Sequence, residues 1–370
     1  MNMSSGSMYS LKHRVLLAVF LLLGFNSAVT AEYTNFLGIK LVKIPAGSFE
    51  MGACKLTRGM EKENRKRVFL GLPPVDPGCG TPDQQVNDNE TPPRVVTVSS
   101  FNMATTPVTA GQYKKFLKDI GEMDSTDDWG LYNEEFQNLN SFGDDAPVVQ
   151  VAWHEAQDFI RWLNENKPED DPYVYRMPSE AEWEYACRAG SKQRYCGSDN
   201  VFDVGWVNRD GTQNQQRVAA KAPNAWGLYD MSGSIWQWVE DVYHDSYIGA
   251  PSDGSAWTGL RISDDEILLN AVEAVRESTE RGEITTVEAA LEIERLRYDA
   301  GVKESSASKQ KAETIAARVL RGGSWRFTED FARATYRLAG EPGNWYYGNG
   351  FRIAASLEES DVVVADSPHQ

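Results

Sequence analysis

Two groups of residues have types and spacing that point to chemistry: four cysteines and a C-terminal run of aromatics. Cys54 and Cys79 bracket one irregular segment, and Cys187 and Cys196 bracket another. No C-x-x-C pair occurs, so a dithiol redox centre is not expected. In an oxidising compartment the four would form disulfides. They allow three connectivities; the expected one is the two sequential pairs, each stapling its own loop. The histidines are few, and His154 and His244 stand alone, as structural or exposed histidines do. No H-E-x-x-H, G-x-S-x-G or Walker sequence is present, and no catalytic residue is assigned. Between Phe331 and Phe351, Tyr336, Trp345, Tyr346 and Tyr347 are set among Gly343, Asn344, Gly348 and Asn349. Large rigid aromatics beside small adaptable polar residues make a binding surface. The candidates in this run for contact with a ligand are Tyr336, Asn344, Trp345, Tyr346 and Tyr347.

The charge balance narrows the partners. A net charge of −17, from 37 basic and 54 acidic side chains, argues against a nucleic-acid binder, because phosphates would be repelled. Residues 1–31 read as a secretory signal. Lys12, His13 and Arg14 precede an apolar run from Val15 to Phe25, and Val29-Thr30-Ala31 supplies small residues for cleavage before Glu32. That run is short for a membrane span, and no later stretch is long enough for one. The expectation is a protein exported to the periplasm or secreted, with no stable membrane insertion.

The elements that must position these residues are short. Leu41 to Gly52 reads as strand, turn, strand, and residues 53–90, rich in Pro, Gly and charge, as a long surface loop carrying the basic run Arg65-Lys66-Arg67. Thr109 opens an amphipathic stretch with Tyr113, Phe116 and Leu117 on one stripe; Trp153 to Asn164 repeats the pattern. Ser179 and Glu182 form a capping box in front of Trp183, Tyr185 and Ala186. No βαβ period emerges, so the expected class is α+β. Residues 263–318 differ, being rich in Ala, Glu, Arg and Leu, with two capping boxes and two apolar stripes. They read as an inserted helical hairpin, packed on its host or docking an envelope partner.

Several blocks, in order, resemble the formylglycine-generating enzyme (sulfatase-modifying factor) domain family. They are Ile44-Pro45-Ala46-Gly47-Ser48-Phe49-Glu50-Met51-Gly52, Thr106-Pro107-Val108-Thr109, Arg176-Met177-Pro178-Ser179-Glu180-Ala181-Glu182-Trp183-Glu184-Tyr185, Asn224-Ala225-Trp226-Gly227-Leu228-Tyr229-Asp230-Met231-Ser232-Gly233, Arg321-Gly322-Gly323-Ser324-Trp325 and Gly350-Phe351-Arg352. The resemblance implies a domain over 32–355, followed by a tail at 356–370. Its implied fold is similar to C-type lectins, with little regular secondary structure. The last block also resembles the variable region of diversity-generating-retroelement target proteins, which share that scaffold; this resemblance implies that Arg326, Phe327, Glu329, Asp330, Leu338 and Glu341 face a ligand together with Tyr336, Asn344, Trp345, Tyr346 and Tyr347.

What the resemblance implies about chemistry turns on two sites. The family's oxidases hold one copper ion with two C-terminal cysteines, the soft ligands that Cu(I) requires. Here no cysteine follows Cys196; Ala334 stands at one of those positions and Glu329 near the other. No copper and no formylglycine-generating activity are therefore expected. The family's calcium loop maps onto Asp230, Gly233, Ile235 and Gln237, with Gln237 in place of a glutamate, so any Ca2+ would be held weakly. The expected role is binding of a protein or small ligand through the C-terminal aromatic surface. The alternative is an oxidase or maturation enzyme of the same family acting on another substrate without the copper thiolates.

Overall fold

In the computed structural model, residues 32–55, 58–70, 82–83, 85–123, 134–208, 215–259, 281 and 316–358 are described. The signal at 1–31, most of the hairpin at 263–318 and the tail beyond 358 lie outside them. Two curled sheets carry the domain. The first is antiparallel, in the order β1–β2–β7–β13–β8, and brings together the first and last of the described strands. Its strands are β1 (Glu32–Thr34), β2 (Lys40–Ile44), β7 (Phe101–Ala104), β8 (Tyr173–Arg176) and β13 (Ala354–Leu357). The second runs β11–β10–β9–β12, from β9 (Trp236–Val242), β10 (Arg318–Arg321), β11 (Leu338–Gly340) and β12 (Asn349–Phe351). In it β12 lies parallel to β9, with Asn349 opposite Trp236 and Phe351 opposite Trp238. Two small pairs, β3 (Gly47–Met51) with β6 (Arg94–Val98) and β4 (Cys54–Lys55) with β5 (Pro82–Asp83), complete the strands. This is the expected α+β architecture.

The helices start where the side chains can satisfy their first N–H groups. Helix α2 (Ala110–Asp119) opens with Thr109 Oγ1 accepting from Gln112 N–H at 3.3 Å, and Gln112 Oε1 accepting from Thr109 N–H at 3.0 Å. Ser179 and Glu182 close the same reciprocal pair on α5 (Glu180–Arg188), at 3.0 and 2.9 Å. Helix α4 (Trp153–Glu165) buries Ala156, Phe159, Ile160 and Leu163, the stripe read from the sequence. Tyr113, Phe159, Phe351, Trp236 and Trp238 then meet in one core cluster. Short helices α3 (Glu134–Leu139) and α6 (Val201–Val204) fill connections. Gly350 is required where it stands, because a Cβ there would run into the Val148 carbonyl oxygen. Among the described residues no helix is long and apolar enough to cross a membrane.

One expectation is corrected. The segment 53–90 is not one long loop: it contains helix α1 (Arg58–Phe69), strands β4 and β5 and a 3-10 turn at Asp88–Glu90. Helix α1 is polar almost all round, so its sequence lacks the apolar period by which helices are read. Its Lys, Arg and Glu are nonetheless good helix formers. Cys187 and Cys196 form a disulfide with 4.7 Å between their Cα atoms, tying the end of α5 to the turn that follows. Cys54 is also disulfide-bonded, to a residue outside the described ones.

The second layer of stability is a buried ionic array. Glu184, at the centre of α5, accepts from Arg188 at 2.7 Å and from Arg321 at 2.5 Å, and Glu180 accepts from Arg337 at 2.6 and 2.7 Å. Burial pushes the Glu184 carboxyl up, but Arg188, Arg321 and the Gly52 N–H outweigh it and leave its pKa below the ordinary 4.5. A folded-state pKa below the unfolded one gives stability that is complete above the unfolded value and lost as pH falls through the folded one. The thermal midpoint should therefore drop as the pH falls below about 4.5. Glu184→Gln should cost about 3–5 kcal/mol near neutral pH and flatten part of that acid limb in denaturant titrations.

Candidate functional site

The C-terminal segment reaches its position because arginines hold its carbonyls. After the 3-10 turn Glu329–Ala332, the Arg321 guanidinium donates to the carbonyls of Ala334, Thr335 and Tyr336 at 2.9, 2.8 and 2.8 Å. Arg333 donates to both carboxylate oxygens of Glu90 at 2.6 and 2.7 Å, and Thr335 Oγ1 joins the same carboxylate at 2.5 Å. Arg337, besides gripping Glu180, donates to the carbonyls of Asn89 and His244. Ala334 is buried within this frame, its N–H donating to Arg194 O at 2.9 Å. Glu329 is half-buried at the start of the turn. Among the described residues no cysteine is free. Nor do three His, Cys, Asp or Glu side chains converge among them as a group able to hold a metal.

The aromatic candidates divide. Trp345, Tyr346 and Tyr347 are 58, 49 and 44% exposed, on the loop between β11 and β12. Tyr336 is half-buried, its ring 5.0 Å from Phe331 and 5.9 Å from Trp236. Phe327, 38% exposed, continues this ladder at 5.7 Å from Trp236 and 5.1 Å from Phe331. The Arg326 guanidinium lies 4.7 Å over the Tyr347 ring. Asn344 turns back onto Glu341. Asp330 is held by Arg194 at 3.3 Å and Gln85 at 3.1 Å. The surface therefore gathers Trp345, Tyr346, Tyr347, Phe327 and Arg326. Tyr336 forms part of its floor, and Glu329 and Asp330 lie at its margin. The buried Trp236 floors the site, and only the parallel pairing with β12 puts it there, so no local pattern in the sequence marks it.

The four residues of the calcium loop do not fit a calcium ion. Gln237 Oε1 already accepts from Trp183 Nε1 at 3.0 Å and from Arg352 Nε at 2.7 Å. Its Nε2–H group donates to the Asp230 carbonyl at 2.7 Å, so it faces that oxygen with hydrogens, where a carboxylate would need a cation between. Arg352 further donates to the Tyr229 carbonyl at 2.6 Å. Asp230 keeps one carboxylate oxygen buried without a hydrogen-bond partner. Burial pushes its carboxyl up, against the pull of the Ala219 N–H and of Arg352. Asp230 and Gly233 both take positive φ, 54° and 73°, and at Gly233 a Cβ would strike the Trp206 carbonyl. The turn is thus closed by an amide and a guanidinium.

The model of the sulfatase-modifying factor enzyme 1-like domain matches residues 29–357. The chain belongs to this family. Mouse formylglycine-generating enzyme is 26% identical over 243 residues, 50% of this chain and 63% of the mouse protein, so the chain spans less than two thirds of that relative. The inactive Cα-formylglycine-generating enzyme 2 of Bos taurus is 25% identical over 260 residues, 57% of this chain and 74% of that protein. The solved structure of PvdO from Pseudomonas aeruginosa covers 89% of this chain and 98% of its own, with a TM-score of 0.57 and 23% identity, a likeness of fold.

Within the sulfatase-modifying-factor family, the amide at 237 makes a clear prediction. Calorimetry with millimolar Ca2+ should show no binding heat, and chelators should leave the melting temperature unchanged. Gln237→Glu places a carboxylate against the Asp230 carbonyl; that variant should be less stable alone and regain stability on adding Ca2+. Calcium-dependent stabilisation of the wild type would overturn this account of the loop.

Proposed function

We propose that this family member is exported to the periplasm or secreted, lacks copper-dependent formylglycine chemistry, and binds a ligand or partner protein through its C-terminal aromatic surface. One observation carries the reading: Ala334 stands at one thiolate position and Glu329 near the other, beside an arginine-held frame, while the adjoining loop holds Trp345, Tyr346 and Tyr347 out to solvent. An oxidase of this type cannot grip Cu(I) with a methyl group and a carboxylate, which lack the soft sulfur the ion requires. Exposed aromatics in one patch, by contrast, are the commonest anchors of recognition surfaces. That a bovine relative of similar identity is called inactive supports a non-oxidase role. A second contact with an envelope partner is assigned to the hairpin at 263–318, of which only residues 281 and 316–318 are described.

The enzyme alternative is favoured by a different likeness. Hercynine oxygenase of Mycobacterium tuberculosis is 27% identical over 201 residues, 46% of this chain and 43% of that protein. In that reading the same surface receives a substrate for oxidation, with Glu329 or Asp330 at its edge. Added metal and an oxidisable thiol or thioether substrate, with oxygen consumption as readout, separate the two readings.

Two outcomes are expected. The full chain supplied with Cu(I) and a cysteine-containing peptide should form no aldehyde; efficient turnover overturns the non-oxidase assignment. For the surface, periplasmic extracts and glycan arrays are probed with the full chain. Trp345→Ala and Tyr347→Ala should each weaken the retained ligand about tenfold or more, with unchanged melting temperature. Retention indifferent to both variants places binding elsewhere.

A further inference from the structure

A cavity of about 590 Å³ lies between helix α4, the end of β8, the start of α5 and β9. None of its lining residues belongs to the aromatic surface. The lining runs from buried Ile160 and Met177 to exposed Arg161 and Ser255, so the cavity opens to solvent. Its volume is that of a small-molecule site. Two carboxylates line it, on Glu182 and on the half-buried Glu240, and they differ in how the fold answers them.

Arg176 grips both oxygens of Glu182 at 2.6 Å and gives its Nε–H to Ser356 Oγ at 3.3 Å. Glu240 has only a neutral donor: its Oε2 accepts from Gln157 Nε2–H at 2.6 Å. Arg318 passes the carboxylate by, donating to the Glu240 backbone carbonyl at 2.8 Å and lying 4.0 Å over the Trp153 ring. Burial pushes the Glu240 carboxyl up, against the pull of Gln157, Arg318 and Arg176, so its negative charge is costly where it stands. Gln157, having given an N–H to Glu240, keeps its carbonyl oxygen as a second acceptor on the same wall. Asn164 spends its amide on the backbone of Ile160 and Tyr175, and the Arg161 guanidinium pairs with Asp158 at 2.8 Å. What the cavity leaves for a ligand is thus a charged acceptor, a neutral one and the apolar side chains of Ile160 and Met177.

We propose that this cavity binds a small organic ammonium. Its N–H groups donate to the Glu240 carboxylate and to Gln157 Oε1, and its hydrocarbon chain lies against Ile160 and Met177. An ammonium brings three donors and the positive charge that Glu240 lacks. A carboxylate or phosphate would be repelled by Glu240. A calcium or magnesium ion calls for six or more oxygen ligands, and the lining offers one carboxylate that no arginine already holds. An alcohol donates one hydrogen and leaves the charge of Glu240 uncompensated.

The test uses the full chain with 13C-labelled Ile and Met methyl groups, the Ile160 and Met177 signals being assigned with Ile160→Val and Met177→Leu. Butylammonium, butyrate and butanol are the probes, matched in chain length and compared at one ionic strength and pH. Butylammonium should move the Ile160 and Met177 methyl resonances at concentrations where butyrate and butanol leave them in place. Glu240→Gln, which keeps the shape of the side chain and removes its charge, should weaken butylammonium about tenfold or more. The comparison of probes on the wild type stands by itself if that variant does not fold. Equal responses to all three probes make the cavity a merely apolar one and overturn the proposal. So do methyl signals that ignore butylammonium, or binding to a folded Glu240→Gln chain as tight as to the wild type.

Discussion

A guanidinium cannot be deprotonated at ordinary pH, so each buried arginine must be surrounded by carboxylates or carbonyls. Arg321, Arg333 and Arg337 are all buried here, and the path of the C-terminal segment follows from that demand. Arg321 draws in three successive carbonyls, from Ala334 to Tyr336. Arg333 and Arg337 fasten either side of that stretch to Glu90 and Glu180. The counter-charges come from distant parts of the chain, a short helix and a 3-10 turn, so the ionic array also joins α5 to the segment before β6. Removing either thiolate position from chemistry leaves this frame whole, because no member of it depends on sulfur.

The same frame explains how a shared scaffold can host different sites. Its fixed part ends at Arg337, and after strand β11 the chain rejoins the second sheet at Asn349. Between them, apart from the short strand β11, the loop is free to carry whatever side chains its environment rewards. Here it carries aromatics with small polar neighbours. Tyr336 and Trp236 are anchored below, and Trp345, Tyr346 and Tyr347 lie above. Rigid rings of this kind present area at low entropic cost, which suits recognition.

Much of this was legible in the residues. Capping pairs such as Thr109 with Gln112 and Ser179 with Glu182 are local, and the structure forms both. The stripe of α4 is a period of one helix and needs no partner to be read. Helix α1 escaped because a polar helix has no such period. The role of Gln237 was only half visible: the lost carboxylate could be read, but that its amide would bridge Trp183, Arg352 and the Asp230 carbonyl depends on contacts across the whole fold. The place of Trp236 under the aromatic surface was hidden for the same reason, since a parallel register between strands more than a hundred residues apart leaves no local mark.

The end of β9 has one more consequence. The carbonyl of Trp257 accepts from Val242 N–H at 2.9 Å, and that of Ala317 accepts from Tyr243 N–H at 2.7 Å. Two adjacent backbone amides thus fasten the departing and returning arms around residues 260–315. Since the entropic cost of closing a loop grows only with the logarithm of its length, such a gate tolerates cargo of almost any size. A change in the length of that segment should therefore leave the pairing of β9 with β10 as it is.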